Sequence, residues 1–353
     1  MARLLVVSKD NGDTKMLLPI AKEAMRQGHK VIILAEGVGV SQYESAGITP
    51  FFSDVPNPDP KTNFNLNEFF RYLSPEVVLV GFPGPTNLSR KVAIAANERD
   101  VPVVGVEDYW GGVKRNPDVV CSLVLTIDDY AAKIAQNCVQ KNIPVRVIGN
   151  HAIPGADYKI PEAVLDGMKK IRSHFAEVFV YGGGDWYYTT EELKLLVPSL
   201  MKTPGNWCLI SRYHPNVKRK IAEELKDGRT FAEVWDEMLS PLGDRVVRLD
   251  AGNSDDMAMV CDAYFSSMGS SMNTAIFCGK PTIAVLTEAT AKGLQVARLD
   301  AIPAVHLGGA QTLVEVQDVR PLLVKPSQAQ RDKFKPLNAH HAIAQIKDML
   351  CRK

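Results

Sequence analysis

Three stretches carry residue types suited to holding an anion. Gly182-Gly183-Gly184 ends one apolar run, and Arg212-Tyr213-His214-Pro215 ends another. Ser267-Met268-Gly269-Ser270-Ser271 ends a third and opens a helical pattern that includes Asn273 and Thr274. A small-residue turn that starts a helix leaves main-chain N–H groups unpaired beside the positive end of the helix dipole, where a phosphate can sit. Arg212 offers a charged fork for phosphate, and His214 a hydrogen-bond donor near neutral pH. Plainer uses exist for each: glycines punctuate tight turns, and a serine caps a helix. Trp186, Tyr187 and Tyr188, which follow Asp185, could stack on a base or sugar or pack between domains. A second group is acidic. Asp10 lies in Ser8-Lys9-Asp10-Asn11-Gly12-Asp13, and Glu107-Asp108 opens the stretch that runs to Gly112. A carboxylate at such a position could deprotonate a hydroxyl; a solvated loop acid is the alternative. Asp255-Asp256 fits a helix start, where acids favour the dipole. No HExxH, P-loop, GxSxG or Cys/His cluster occurs, so no metal and no cofactor are expected.

The elements that must position these residues alternate regularly. Strand patterns are expected at 3–8, 30–35, 48–52, 77–81, 101–106, 123–127 and 145–148, with helix patterns at 14–27, 66–73, 88–99 and 128–139 and a proline-rich loop at 56–60. The alternation restarts with strands at 177–181, 207–211, 245–249, 263–266, 282–286 and 304–307, and helices at 191–201, 217–224, 254–260 and 272–278. Such alternation predicts right-handed βαβ units on mostly parallel sheets, an α/β architecture. The expected organisation is a Rossmann-like domain at 1–156, a linker at 157–172 and a second Rossmann-like domain at 173–337. A last helix at 338–353 could pack across the boundary. In an open parallel sheet, ligands sit beyond the carboxyl ends of strands, and all three anion candidates and the acids lie there.

Size and charge exclude several classes. A chain of 353 residues suits two domains, and 46% apolar with 23% charged residues is ordinary for a soluble protein. Residues 1–176 carry 20 Lys/Arg and 19 Asp/Glu and the remainder 21 of each, so neither half attracts nucleic acid in bulk. The six cysteines form no CxxC pair; Cys121, Cys208, Cys261 and Cys278 lie in or beside apolar runs, as reduced core thiols in a cytosolic protein would. The N-terminal apolar run is too short for a signal peptide and no run reaches membrane-span length, which makes the expected location cytoplasmic, with peripheral attachment to a membrane left open.

With these elements placed, the chain resembles the GT-B superfamily, two Rossmann-like domains facing each other across a cleft with parallel sheets. The resemblance rests on the Gly182–Gly184 turn, the His214-Pro215 pair, and the 267–281 segment with its terminal Gly279-Lys280-Pro281. It also rests on the 126–150 stretch, TIDDYAAKIAQNCVQKNIPVRVIGN, which ends in a Gly-Asn pair. UDP-N-acetylglucosamine 2-epimerases and lipid-linked glycosyltransferases share the layout; glycerophosphate and sialyl transferases, which use cytidine nucleotides, carry similar His-Pro and Ser-rich elements. The resemblance implies a glycosyltransferase that takes a sugar from a nucleotide-activated donor without a metal. Gly182, Gly183, Gly184, Arg212, His214, Gly269, Ser270, Ser271, Asn273 and Thr274 would hold the donor, and Glu107, Asp108 or Asp10 would act as base. Many UDP-sugar members place a glutamate where Asn273 and Thr274 stand, so UDP, CMP and CDP donors all stay open. A nucleotide-sugar 2-epimerase and a non-catalytic sugar-nucleotide-binding protein are the alternatives. The acceptor is unidentified, since 38–43, 56–65 and 82–87 show no motif, and a homodimer stays open.

Overall fold

Runs of β-branched and aliphatic residues too short for helices form twelve strands among the residues that a computed structural model describes. It describes residues 1–50, 66–82, 88–155, 157–184, 186–214, 217–218, 220–225 and 227–351, leaving aside the side chains of residues 67, 186 and 187. The expected loop at 56–60, residues 83–87, Asp185 and Pro215 lie outside the described residues. The chain divides into two units, Met1–His151 with Lys335–Lys353, and Ala152–Phe334.

The first unit holds β1 (Arg3–Ser8), β2 (Lys30–Ala35), β3 (Val77–Gly81), β4 (Val103–Val106), β5 (Leu123–Thr126) and β6 (Val145–Val147). They form a parallel sheet in the order β2-β1-β3-β4-β5-β6. All residues of β3, β4 and β5 are buried, as expected of a parallel sheet covered on both faces by helices. The helix Asn11–Arg26 follows β1, and the C-terminal helix Ala339–Cys351 packs against it through a face containing Ala342, Ile343 and Ile346. The Gly-Asn pair at 149–150 receives the returning chain. Asn150 N–H donates to the Lys335 carbonyl at 2.8 Å, and Gly149, at φ +92°, would place a Cβ 2.1 Å from the Pro336 carbonyl oxygen. Only glycine fits that crossing.

The second unit holds β7 (Glu177–Gly182), β8 (Trp207–Arg212), β9 (Val246–Val247), β10 (Ala263–Ser266), β11 (Thr282–Val285) and β12 (Gln311–Leu313). Their parallel order is β12-β11-β10-β7-β8-β9. Counted from β7, this is the doubly wound 3-2-1-4-5-6 arrangement, which reverses between β7 and β10. Phe179, Trp207, Phe265 and Trp235 anchor its core. Within the 157–172 segment lies a helix, Glu162–Arg172, that buries Val164, Met168 and Ile171.

Several expected elements differ. Residues 303–306 form a helical turn that starts at Pro303, not a strand, and the last strand is three residues of 311–313. A four-residue apolar run does not distinguish the two, and proline suits a first helical turn. The helix expected at 191–201 begins at Trp186, so the aromatic triplet belongs to its first turn. The strand expected at 245–249 shrinks to two residues, and of the helix expected at 217–224 the described residues are helical at 217–218 and a turn at 220–222. Residues 48–50 are irregular, 38–45 are helical, and the helix Phe231–Leu239 was not foreseen although Thr230 and Glu233 form its capping box.

Candidate functional site

In the second unit the three anion candidates leave β7, β8 and β10, which are adjacent, and the sheet reverses between β7 and β10. The crevice beyond such a reversal is where open parallel sheets bind ligands. The corners are tied together. Ser266 Oγ donates to the Gly182 carbonyl at 2.7 Å, and the Gly183 N–H donates to the Arg212 carbonyl at 3.0 Å. The Ser267 hydroxyl bonds the carboxyl of Glu192, from the helix that follows β7.

The glycines have different uses. A Cβ at Gly182 would lie 2.1 Å from the Tyr264 hydroxyl, and one at Gly183 2.7 Å from the Trp235 ring, so both make room for the protein's own side chains. A Cβ at Gly184 would meet only ordinary contacts, 3.6 Å from Tyr188 Cβ, 3.7 Å from Glu192 Oε1 and 3.9 Å from Ser267 Oγ. On the facing corner, the main-chain N–H groups of residues 267–271 find no acceptor among the described residues. Ser270 is exposed and makes no side-chain cap bond, whereas Ser271 is buried. Asn273 is 1% exposed, and neither its Oδ1 nor its Nδ2 has a partner. A buried amide left unpaired costs roughly 1–3 kcal/mol per group, a cost that a ligand with matching polar atoms removes.

Other candidates are engaged elsewhere. Arg212 donates to the carbonyls of Leu249 (2.5 Å), Ala251 (3.3 Å) and Gly252 (2.6 Å), pinning the loop after β9. The Thr274 hydroxyl donates to the Ala152 carbonyl at 2.7 Å and to Asp255 at 3.2 Å. His214 is half-buried two residues beyond β8. Asp255 and Asp256 occupy the first turn of the helix Ser254–Val260, whose N-cap Asn253 forms a capping box with Asp256.

In the first unit acids gather at the carboxyl ends of β1 and β4. Glu107 is fully buried; its Oε1 accepts from the Val113 N–H at 2.8 Å, its Oε2 has no partner, and burial pushes its carboxyl up to about 8. Asp108 is half-buried, with its carboxyl raised to about 6, chiefly by desolvation. Its Oδ2 lies against Gly12, where a Cβ would meet it at 2.0 Å. Asp10 is exposed and caps nothing with its side chain. Asp13 is 1% exposed, accepts the Lys9 N–H at 3.0 Å, and is raised to about 7 by burial, with Asp108 adding repulsion. Gly81, at the end of β3, backs it: a Cβ there would fall 2.3 Å from Asp13 Cβ. Among the described residues no group of three or more His, Cys, Asp or Glu is placed to hold a metal, and no helix is long and apolar enough to cross a membrane.

No protein-family model and no curated protein matches the chain. Solved structures do match. MnaA from S. aureus, solved with UDP, aligns over 99% of this chain and 97% of its own at a TM-score of 0.69 and 14% identity. A glycosyltransferase from Rickettsia africae aligns over 99% and 98% at 0.65 and 13%. UDP-GlcNAc 2-epimerase from Methanocaldococcus jannaschii aligns over 98% and 99% at 0.62 and 13%. The chain has the GT-B fold.

Within this GT-B chain, sequence reasoning passed over Glu192, Asp13, Asp128 and His151. Glu192 sits among helical residues whose spacing gives no sign that it is buried, and Asp13 lies just before the helix expected at 14–27, which in fact begins at Asn11. Asp128 was legible as an N-cap: it accepts the Ala131 N–H at 2.8 Å and also the Trp110 indole N–H at 2.8 Å. His151, with an unpartnered Nδ1, is pushed down to about 4 by burial.

Proposed function

We propose that the protein is a nucleotide-sugar-dependent glycosyltransferase whose second unit holds the donor's phosphate at the β7–β10 reversal. The observation that carries this reading is the unpartnered Asn273 amide, buried in the helix that follows a corner of unengaged N–H groups. Hydroxyls and N–H groups fixed in place there would stabilise charge on a departing nucleotide. UDP is the first nucleotide to test, because MnaA and the Anabaena protein HepE were both solved with it; Asn273 keeps CMP and CDP in the same panel.

The base is assigned to Asp108. Its carboxyl, at about 6, is ionised at neutral pH, close to the value at which proton acceptance is most effective, and it is partly open. Glu107, at about 8, is protonated and closed off. A thermal-shift panel of UDP, CMP, CDP, GDP and TDP tests the binding half: one of them raises Tm by mass action. A flat response to all five overturns the reading.

One observation favours a nucleotide-sugar 2-epimerase as the second reading. Asp13 and Asp108 repel one another, and with Glu107 and Asp128 the described part of the first unit carries four raised carboxyls. Proton removal and return at carbon needs more than one such group, whereas transfer needs a single base. Incubation with a UDP-sugar in deuterated water separates the two, since an epimerase that abstracts the proton exchanges a carbon-bound hydrogen and a transferase does not.

A further inference from the structure

Behind the Gly184 corner lies an acid without a charged partner. Glu192 is 0% exposed. Its Oε2 accepts from the Tyr181 hydroxyl at 2.7 Å, and its Oε1 meets the Ser267 hydroxyl. A Cβ on Gly184 would stand 3.7 Å from that Oε1 and 3.9 Å from Ser267 Oγ, so the carboxyl, the serine and the glycine meet at one point. The other titratable groups near this point are phenols: Tyr188, whose Cβ lies 3.6 Å from the same position, and Tyr181 and Tyr264, both held protonated by burial.

Charged groups on the elements packed against the Glu192 helix turn elsewhere. Glu191 and Lys194 pair on its outer side. Glu233 caps with Thr230, Asp236 and Glu237 pair with Arg248 and Arg229, and Arg245 lies over Trp207. Asp244, Glu288 and Lys292 are exposed, and Arg212 is bound to carbonyls.

A serine has one proton to donate. If Glu192 is ionised, it can only accept, so Ser267 must donate inward and presents lone pairs to any anion at the corner. If Glu192 is protonated, the acid donates to Ser267 Oγ, and the serine's own O–H is released. We propose that Glu192 is a positioning residue that, in its acid form, turns the Ser267 hydroxyl outward as a donor to the nucleotide's phosphate. This rests on the nucleotide-binding reading above and identifies which side chain sets the polarity of that site. Burial raises the Glu192 carboxyl to about 7, so both forms are reached near neutral pH. The phosphate charge gains a hydrogen bond in the acid form and meets a buried carboxylate in the other. Both effects weaken binding as pH rises.

UDP affinity measured by calorimetry from pH 6 to 8.5 tests this on the full chain. Wild type should lose roughly tenfold across the range, the worth of one hydrogen bond to a charged group. Glu192→Gln keeps a neutral donor towards Ser267 and an acceptor for Tyr181; it should match wild type at pH 6 and bind about tenfold more tightly than wild type at pH 8.5. Ser267→Ala should bind about tenfold more weakly than wild type at pH 6. The ionisation of UDP itself shifts all three proteins alike and cancels in the comparison. Equal pH profiles for wild type and Glu192→Gln, with UDP bound by both, overturn the role of Glu192 and leave the binding site standing. Failure of wild type to bind any nucleotide of the panel overturns both. A carboxyl infrared band that is absent from Glu192→Gln and disappears near pH 7 in wild type supports the titration independently of ligand; a band unchanged to pH 9 overturns it.

Discussion

The two units solve the same architectural problem and furnish it with opposite chemistry. Each is a six-stranded parallel sheet with loops gathered at the carboxyl ends of its strands. In the first unit those ends carry Glu107, Asp108, Asp10 and Asp13, with glycines 12 and 81 cut back to admit carboxylates. In the second they carry glycines, serines and the Asn273 amide. Burial acts differently on the two sets. It raises carboxyls towards neutrality, which suits them to exchange protons. In the small-residue corner it leaves N–H groups and an amide unpaired, which suits them to an anion. The scaffold therefore does not decide function; the residues at its strand ends do.

The sharpest way to test this division is to alter one unit and read both properties. Asp108→Asn should lower turnover about 10²- to 10⁴-fold, the usual worth of a general base, and leave UDP affinity unchanged in calorimetry. A loss of both together would break the division. Gly81→Ala drives a methyl into Asp13; overpacking of this kind costs about 1–3 kcal/mol, readable in urea unfolding, again with nucleotide affinity retained per folded molecule. Asn273→Leu should have the reverse signature. Nucleotide binding weakens by about tenfold, while unfolding stability without ligand holds or rises, because two unpaired polar groups leave the interior.

The smallest effect is a slope. Asp13 has a folded value of about 7 against 3.8 for the free side chain, so the folded state keeps a proton that the unfolded chain releases. Its contribution to stability is complete below about pH 4 and is lost as pH rises to 7. Asp13→Asn should flatten the decline of Tm across that window. An unchanged slope would show that Asp13 is not the buried proton holder of the first unit.

Much of the fold was legible from periodicity alone. Strands Arg3–Ser8, Lys30–Ala35, Val77–Gly81 and Ala263–Ser266 and the helix Leu66–Leu73 lie at their expected bounds, because apolar runs closed by turn residues leave little choice. The helical turn at 303–306 and the two-residue β9 were not legible, because Pro303 suits a first helical turn and β9 pairs with β8 through only two residues. At the candidate site, the sequence by itself determined the chemical character of each corner: small and polar at 182–184 and 267–271, acidic at Asp10 and Glu107–Asp108. Only tertiary structure decided which of these groups keep free valences. Arg212, a natural phosphate ligand by type, is bound to three carbonyls, while Asn273 has no bond at all. Glu192, unremarkable in a helical pattern, and Asp13, in the stretch between the first strand and the helix expected at 14–27, became titratable near neutral pH. The reason is physical: residue type fixes which bonds a side chain can make, but burial and pairing depend on neighbours far away in the chain, and those arise only when the sheet closes.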